Sequence, residues 1–231
     1  MSRMRMLFLL PTILSVAGAA DDSELIKARD QQDRAGLEKM AAELRAIADQ
    51  QAKDAAAQYR TALAESYAAE VAVEMGDKNA AKNSAQAGIE AAGRAVSLKP
   101  DSAEYQRILG TLCGQMISSN GLAALKYGNC ALNGVNKAVE LDPHSSMAYL
   151  SHGVGNYYLP SALGGGMDAA IKDFRKSIEL NPNNAEAWLW LGIALRRANQ
   201  PAEAHKAIAK SVELNPKRVW ARQQLDKTPA P

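Results

Sequence analysis

Phenylalanine is nearly missing from this 231-residue chain: it occurs twice, and only Phe174 lies beyond the extreme N-terminus. With aromatics at 5% of the residues, an aromatic-rich β-sandwich is excluded. Alanine is about a fifth of the chain, so a core has to come from helices that approach one another closely. Charge of one sign is lacking too. Lys and Arg total 27 against 25 acidic residues, and setting aside Arg3 and Arg5 in the N-terminal segment leaves 25 against 25. A neutral chain offers no basic track to a phosphate backbone, so nucleic acid is not an expected partner. Beyond the N-terminus no run is long and apolar enough to cross a bilayer, which takes about 20 residues. Three histidines, His144, His152 and His205, show no His-x-x-x-His pairing, and there is no Cys-x-x-Cys. No metal or cofactor is therefore expected. A Gly-x-Ser-x-Gly elbow is absent as well, and carboxylates are scattered, so the chain reads as a binding protein rather than an enzyme.

What is present begins with an export pattern. Arg3 and Arg5 precede an apolar stretch from Met6 to Val16, then Ala17-Gly18-Ala19 and the acidic pair Asp21-Asp22. This is the tripartite order of a secretory leader, with cleavage expected after Ala19 or Ala20. Residues 1–20 are thus assigned to a leader, and the remainder to a soluble periplasmic or secreted product. In an oxidising compartment the two cysteines, Cys113 and Cys130, can form a disulfide; two buried thiols acting as small hydrophobes are the alternative.

Four phrases organise the rest: Ser97-Leu98-Lys99-Pro100, Glu140-Leu141-Asp142-Pro143, Glu179-Leu180-Asn181-Pro182 and Glu213-Leu214-Asn215-Pro216. Their prolines follow at intervals of 43, 39 and 34 residues, and each phrase reads as the end of a helix. The last interval carries Trp188, Leu191-Gly192, Leu195, Ala204, Ile208 and Pro216. In these positions the sequence resembles the tetratricopeptide-repeat family, whose unit is a pair of antiparallel helices. The unit before supplies Tyr149, Gly153, Ala170, Phe174 and Pro182, and the one before that Leu109-Gly110, Ala131, Val135, Ala138 and Pro143. The resemblance implies an all-α, right-handed superhelical solenoid. Residues 21–54 would form an N-terminal cap or degenerate repeat, 55–216 an array of about four units, 217–227 a C-terminal capping helix, and 228–231 a loose tail.

Two units are longer than the last. About nine residues are added within 117–128 and five within 157–166, both expected in the turn between the two helices of a unit. Together they resemble exported bacterial repeat proteins with the same two insertions. The Gly164-Gly165-Gly166 triplet is not followed by Gly-Lys-Ser/Thr, so it is not read as a phosphate cradle. His152 stands where the family usually has Leu, and is expected to hydrogen-bond a neighbouring helix or the inserted loop.

Binding in the family uses the concave face, lined by the first helix of each unit. Carried onto this sequence, those positions are Glu104, Arg107, Thr111 and Gln115; Met147, Leu150, Val154, Tyr157 and Tyr158; and Glu186, Leu189, Ile193, Arg196 and Arg197. The apolar middle (Leu150, Val154, Tyr157, Tyr158, Leu189, Ile193) with the Arg196–Arg197 rim suits a partner protein or peptide with hydrophobic anchors and a carboxylate. The same stripe could instead pack on the chain's own N-terminal helices or on a second copy, making a homo-oligomer. A rival function is a periplasmic carrier of a small hydrophobic ligand, with the groove closed into a cavity.

Overall fold

The computed structural model describes residues 22–119 and 121–230, so the expected leader at 1–20 lies outside the described residues. Those described fold as eleven α-helices: α1 (Asp22–Asp30), α2 (Arg34–Gln50), α3 (Ala55–Glu74), α4 (Lys78–Leu98), α5 (Ala103–Ser119), α6 (Ala124–Leu141), α7 (Ser146–Tyr158), α8 (Met167–Leu180), α9 (Ala185–Arg197), α10 (Pro201–Leu214) and α11 (Val219–Asp226). Helices α3/α4, α5/α6, α7/α8 and α9/α10 are packed antiparallel pairs, stacked in chain order. These are four repeat units, with α1 and α2 before them and α11 after.

The recurring phrase has a local physical cause. In three of its four copies an Asx side chain accepts a hydrogen bond from the backbone N–H two residues on: Asp142 from His144 (3.0 Å), Asn181 from Asn183 (3.1 Å) and Asn215 from Lys217 (3.3 Å). That turn reverses the chain across the proline, which cannot continue a helix. The next helix is then started by a side-chain cap at Ser145 and Asn184, and Asp54 and Asp77 cap α3 and α4 in the same way.

Within a unit the helices cross on small residues. A Cβ on Gly192 would collide with Ile208 Cγ1 and lie 2.9 Å from the Ala204 carbonyl oxygen, so only glycine lets α9 and α10 meet there. The insertions behave differently from one another. Among the described residues between α5 and α6 the chain forms a 3-10 turn at Gly121–Ala123, and the two helices have 17 and 18 residues against 13 and 14 in α9 and α10. The first insertion is therefore mostly helix, about one extra turn on each partner, rather than the loop its length suggests. The second is a loop, from Leu159 to Gly166, with a 3-10 turn at Ser161–Leu163. Its glycine triplet serves the chain reversal, with φ of +90° at Gly164 and +106° at Gly166. Cys113 and Cys130 are bonded, S–S 1.97 Å, tying α5 to α6.

Candidate functional site

The first helices of successive units face inward and bond to one another through polar side chains. Tyr59 on α3 donates to Glu104 on α5 at 2.8 Å, and Arg107 pairs with Glu104 at 2.5 Å while its other arm reaches Ser151 Oγ on α7 at 3.2 Å. Gln115 donates to the Ser66 carbonyl at 3.0 Å. Burial alone would raise the Glu104 carboxyl, but the Arg107 charge and bonds outweigh it and hold that carboxyl below its ordinary range.

The array curls far enough for its last unit to meet its first. Arg218, between α10 and α11, leaves 1% of its side chain exposed. It bonds Glu186 on α9 at 2.9 Å, Glu70 on α3 at 2.7 Å and Glu74 on α3 at 3.0 Å, and lies 3.8 Å from Asp30 at the end of α1. Arg29 joins the cluster, 2.6 Å from Asp30 and 3.4 Å from Glu186, with its guanidinium 5.1 Å from the Tyr67 ring centre. Asn215 donates to Asp30 at 2.7 Å, and Gln32 to Glu74 at 2.9 Å. Four carboxylates thus face two guanidinium groups. Burial pushes the Glu70 carboxyl up to about 7, a rise that Arg218 and Arg29 only partly oppose. Glu74 is raised for the same reason, whereas at Glu186 the two arginines outweigh burial and hold the carboxyl low. Glu186, a groove position by family analogy, is committed to this clasp. Nothing in sequence pattern marks Arg218, one of several basic residues beside Pro216.

The apolar groove positions separate into two packed clusters. Leu150, with Val154 and Tyr157 beside it, packs with Phe174, Leu191 and Leu195. Leu189 and Ile193 pack with Ile208, Ala221, Trp220 and Leu225 under α11. Leu189 is 0% exposed, so it is core rather than open surface. Part of the stripe is accordingly covered by the chain's own C-terminal helix. Arg196 is also engaged internally: it donates to Gln224 Oε1 at 2.8 Å and to Thr228 Oγ1 at 2.7 Å. Thr228, expected in a loose tail, is buried, and its carbonyl oxygen lies 2.7 Å from His205 Nδ1.

Between the clusters an aromatic group reaches solvent. Tyr157 contacts Tyr158 (centroids 5.0 Å apart) and Trp190 (5.7 Å), and Trp190 contacts Trp220 at 5.5 Å. Arg197 lies 4.8 Å from the Tyr157 ring centre and is exposed, as is Tyr158. Trp190 and Trp220 escape a reading by family groove positions; the seven-residue spacing of Trp190 and Arg197, two helical turns, was the available signal. His152 is half-buried, 2.7 Å from Asp173 and 3.0 Å from Asn136, linking α7 to α8 and α6. Among the described residues no group of three or more His, Cys, Asp or Glu side chains is arranged to hold a metal ion, and no helix is long and apolar enough to cross a membrane.

Residues 23–161 match the family model described as regulator of microtubule dynamics protein 1-3. The chain belongs to that family. Its remaining repeat region continues the same architecture, since residues 174–206 match a tetratricopeptide-repeat model. The family match runs from α1 into the second inserted loop, so in this family member it includes Arg29, Glu70 and Glu74 of the clasp, the disulfide and the first inserted turn. No curated protein matches the sequence. Among solved structures, a thermophilic tetratricopeptide-repeat protein of Thermus thermophilus is 17% identical over 90% of this chain and 98% of its own, with a TM-score of 0.62. YrrB, a tetratricopeptide-repeat protein with an unusual peptide-binding site, is 18% identical over 90% and 100%, TM-score 0.45. MamA from Desulfovibrio magneticus is 18% identical over 87% and 99%, TM-score 0.46. At these identities the likeness is one of fold.

Proposed function

We propose that the protein is an exported scaffold, periplasmic or secreted, that holds a segment of a partner protein and acts by binding rather than by turnover. The observation that carries this reading is the aromatic group at the mouth of the inward face. Tyr158 is 57% exposed and lies beside Tyr157 and Trp190, with the exposed Arg197 guanidinium at the edge. Rigid rings offer apolar area at low entropic cost, and a neighbouring guanidinium supplies a two-pronged donor for a carboxylate. The proposed partner segment has an aromatic or aliphatic anchor followed by an acidic group or chain terminus. Of the groove residues proposed from sequence, Tyr157, Tyr158 and Arg197 form this mouth, Val154 lies beneath it, and Leu150, Leu189, Ile193 and Arg196 support it from within.

Affinity capture from envelope extract, with wild type beside Tyr158→Ala plus Arg197→Ala, tests the reading. Circular dichroism must show that the variant keeps wild-type helicity. A protein held by wild type and lost from the variant is the expected result; equal capture by both removes the aromatic mouth as the site. The export claim is tested by the mass of the protein recovered from cells, which should correspond to a start at Ala20 or Asp21.

A further inference from the structure

The most exposed aliphatic and thioether side chains are gathered on one edge. Leu125 is 93% exposed, Leu122 79%, Leu163 70% and Met75 56%. All four sit in or beside the turn joining the two helices of a unit: Met75 between α3 and α4, Leu122 and Leu125 at the start of α6, Leu163 between α7 and α8. Stacked hairpins place such turns along one edge and the proline-bearing connections along the other. Contacts bind neighbouring units together on or near that edge. Arg34 after the α1–α2 turn pairs with Asp77 at the α3–α4 turn at 2.5 Å, Tyr127 of α6 donates to Gln86 of α4 at 2.9 Å, and Arg197 at the end of α9 reaches the Tyr157 carbonyl at 3.3 Å.

The charge beside these leucines is mainly of one sign. In the turns that carry these apolar side chains Lys78, Lys82 and Lys126 are exposed against an exposed Asp168, while the flanking turns at either end of the array expose Asp33 and Glu203. Asp77 is held by Arg34 and by the first backbone N–H groups of α4. Leucines more than two-thirds exposed are tips rather than the walls of a groove. A folded partner needs a counter-surface shaped to separate tips, whereas a fluid interface conforms to them, and anionic headgroups complement flanking lysines. We propose that this edge docks the protein on an anionic lipid surface, with Leu122, Leu125 and Leu163 entering the acyl boundary and Lys78, Lys82 and Lys126 meeting headgroup phosphates. These leucines and lysines are different side chains from Tyr157, Tyr158 and Arg197 of the aromatic mouth, which adjoins the edge at the end of α7, and the proposal stands whether or not that mouth binds a partner.

The test uses the protein as recovered from cells, with phosphatidylcholine vesicles and vesicles that also contain phosphatidylglycerol. Co-sedimentation should occur with the anionic vesicles and weaken with added salt. Leu125→Ser plus Leu163→Ser should lower partitioning by about tenfold, and Lys82→Glu plus Lys126→Glu by several-fold with a flatter salt response. Hydrogen exchange should show vesicle-dependent protection at residues 121–126 and 159–166, a local readout that adhesion through any other segment would not move. No protection of those turns, or partitioning unchanged in both variants, overturns the proposal. It is equally overturned if the leucine variant abolishes a dimer of the free protein while leaving vesicle partitioning intact, because the edge would then serve a second copy.

Discussion

Arg218 shows how much of this molecule rests on one side chain. Its guanidinium is the main positive charge opposite Glu70, Glu74 and Glu186, and with Arg29 it meets four buried or partly buried carboxylates. Removing one partner of a buried ion cluster leaves the others uncompensated, which costs about 3–5 kcal/mol. Arg218→Met should therefore lose about that much stability in urea unfolding. The excess of carboxylates also gives the cluster a pH dependence with a definite sign. Glu70 is pushed up to about 7 in the folded chain from the ordinary 4.5. Its contribution is fully present below the unfolded value and is lost as pH rises through about 7. Glu186, held low, contributes the other way: its share is present above the unfolded value and lost on acidification. Stability measured between about pH 5 and pH 8 should accordingly fall at the alkaline end. Glu70→Gln should reduce that fall by about 1 kcal/mol, because Glu70 keeps a quarter of its side chain in solvent, and Glu74, raised likewise, keeps the remainder. A methyl at Gly192 is the apolar counterpart: with Ile208 and the Ala204 carbonyl in its way, Gly192→Ala should cost about 1–3 kcal/mol in the same measurement.

At the scale of elements, the phase of the array was legible because three of the four phrases mark a chemical event, an Asx turn over a proline, rather than a preference summed over many residues. The same legibility explains one failure. Repeat counting identifies an insertion of nine residues but not its conformation. The segment from Ile117 to Gly128 has no proline, and with α5 and α6 already paired, extending both helices buries more surface than a loop would. Ala69, Ala85 and Met116 form a small core there, with Ala123 and Tyr127 against it. The disulfide links the same two helices with a separation of 17 residues. A closed loop of that size restrains the unfolded chain by about 3 kcal/mol. Reduction should lower the urea midpoint correspondingly, and Cys113→Ser plus Cys130→Ser should reproduce the shift and become insensitive to reductant.

For the whole molecule, the decisive element is the last one. Helix α11 covers Leu189, Ile193 and Ile208, and the segment leading into it carries Arg218 across to α1 and α3. It therefore acts as more than a solvating cap: it closes the last unit and joins it to the first. Ending the chain after Pro216 should expose the α9–α10 face and release the clasp. The expected outcome is a larger radius of gyration by small-angle scattering and increased binding of a hydrophobic dye, with most helicity retained. An unchanged radius of gyration would mean that contacts other than Arg218 and α11 hold the curl.

The sequence by itself determined the helical units, their antiparallel pairing and the small residues at their crossings, because each depends on neighbours within a few turns of chain. It also supplied the aromatic and basic residues of the candidate mouth. Which of them face water was decided only in three dimensions, since Leu189 and Arg196 are consumed by α11 while Tyr158 and Arg197 remain exposed. The closing contacts could not be read from pattern, because Arg218 and Arg29 are separated by 189 residues. Their meeting depends on the curvature accumulated over four units, a sum of small packing angles that no local motif encodes.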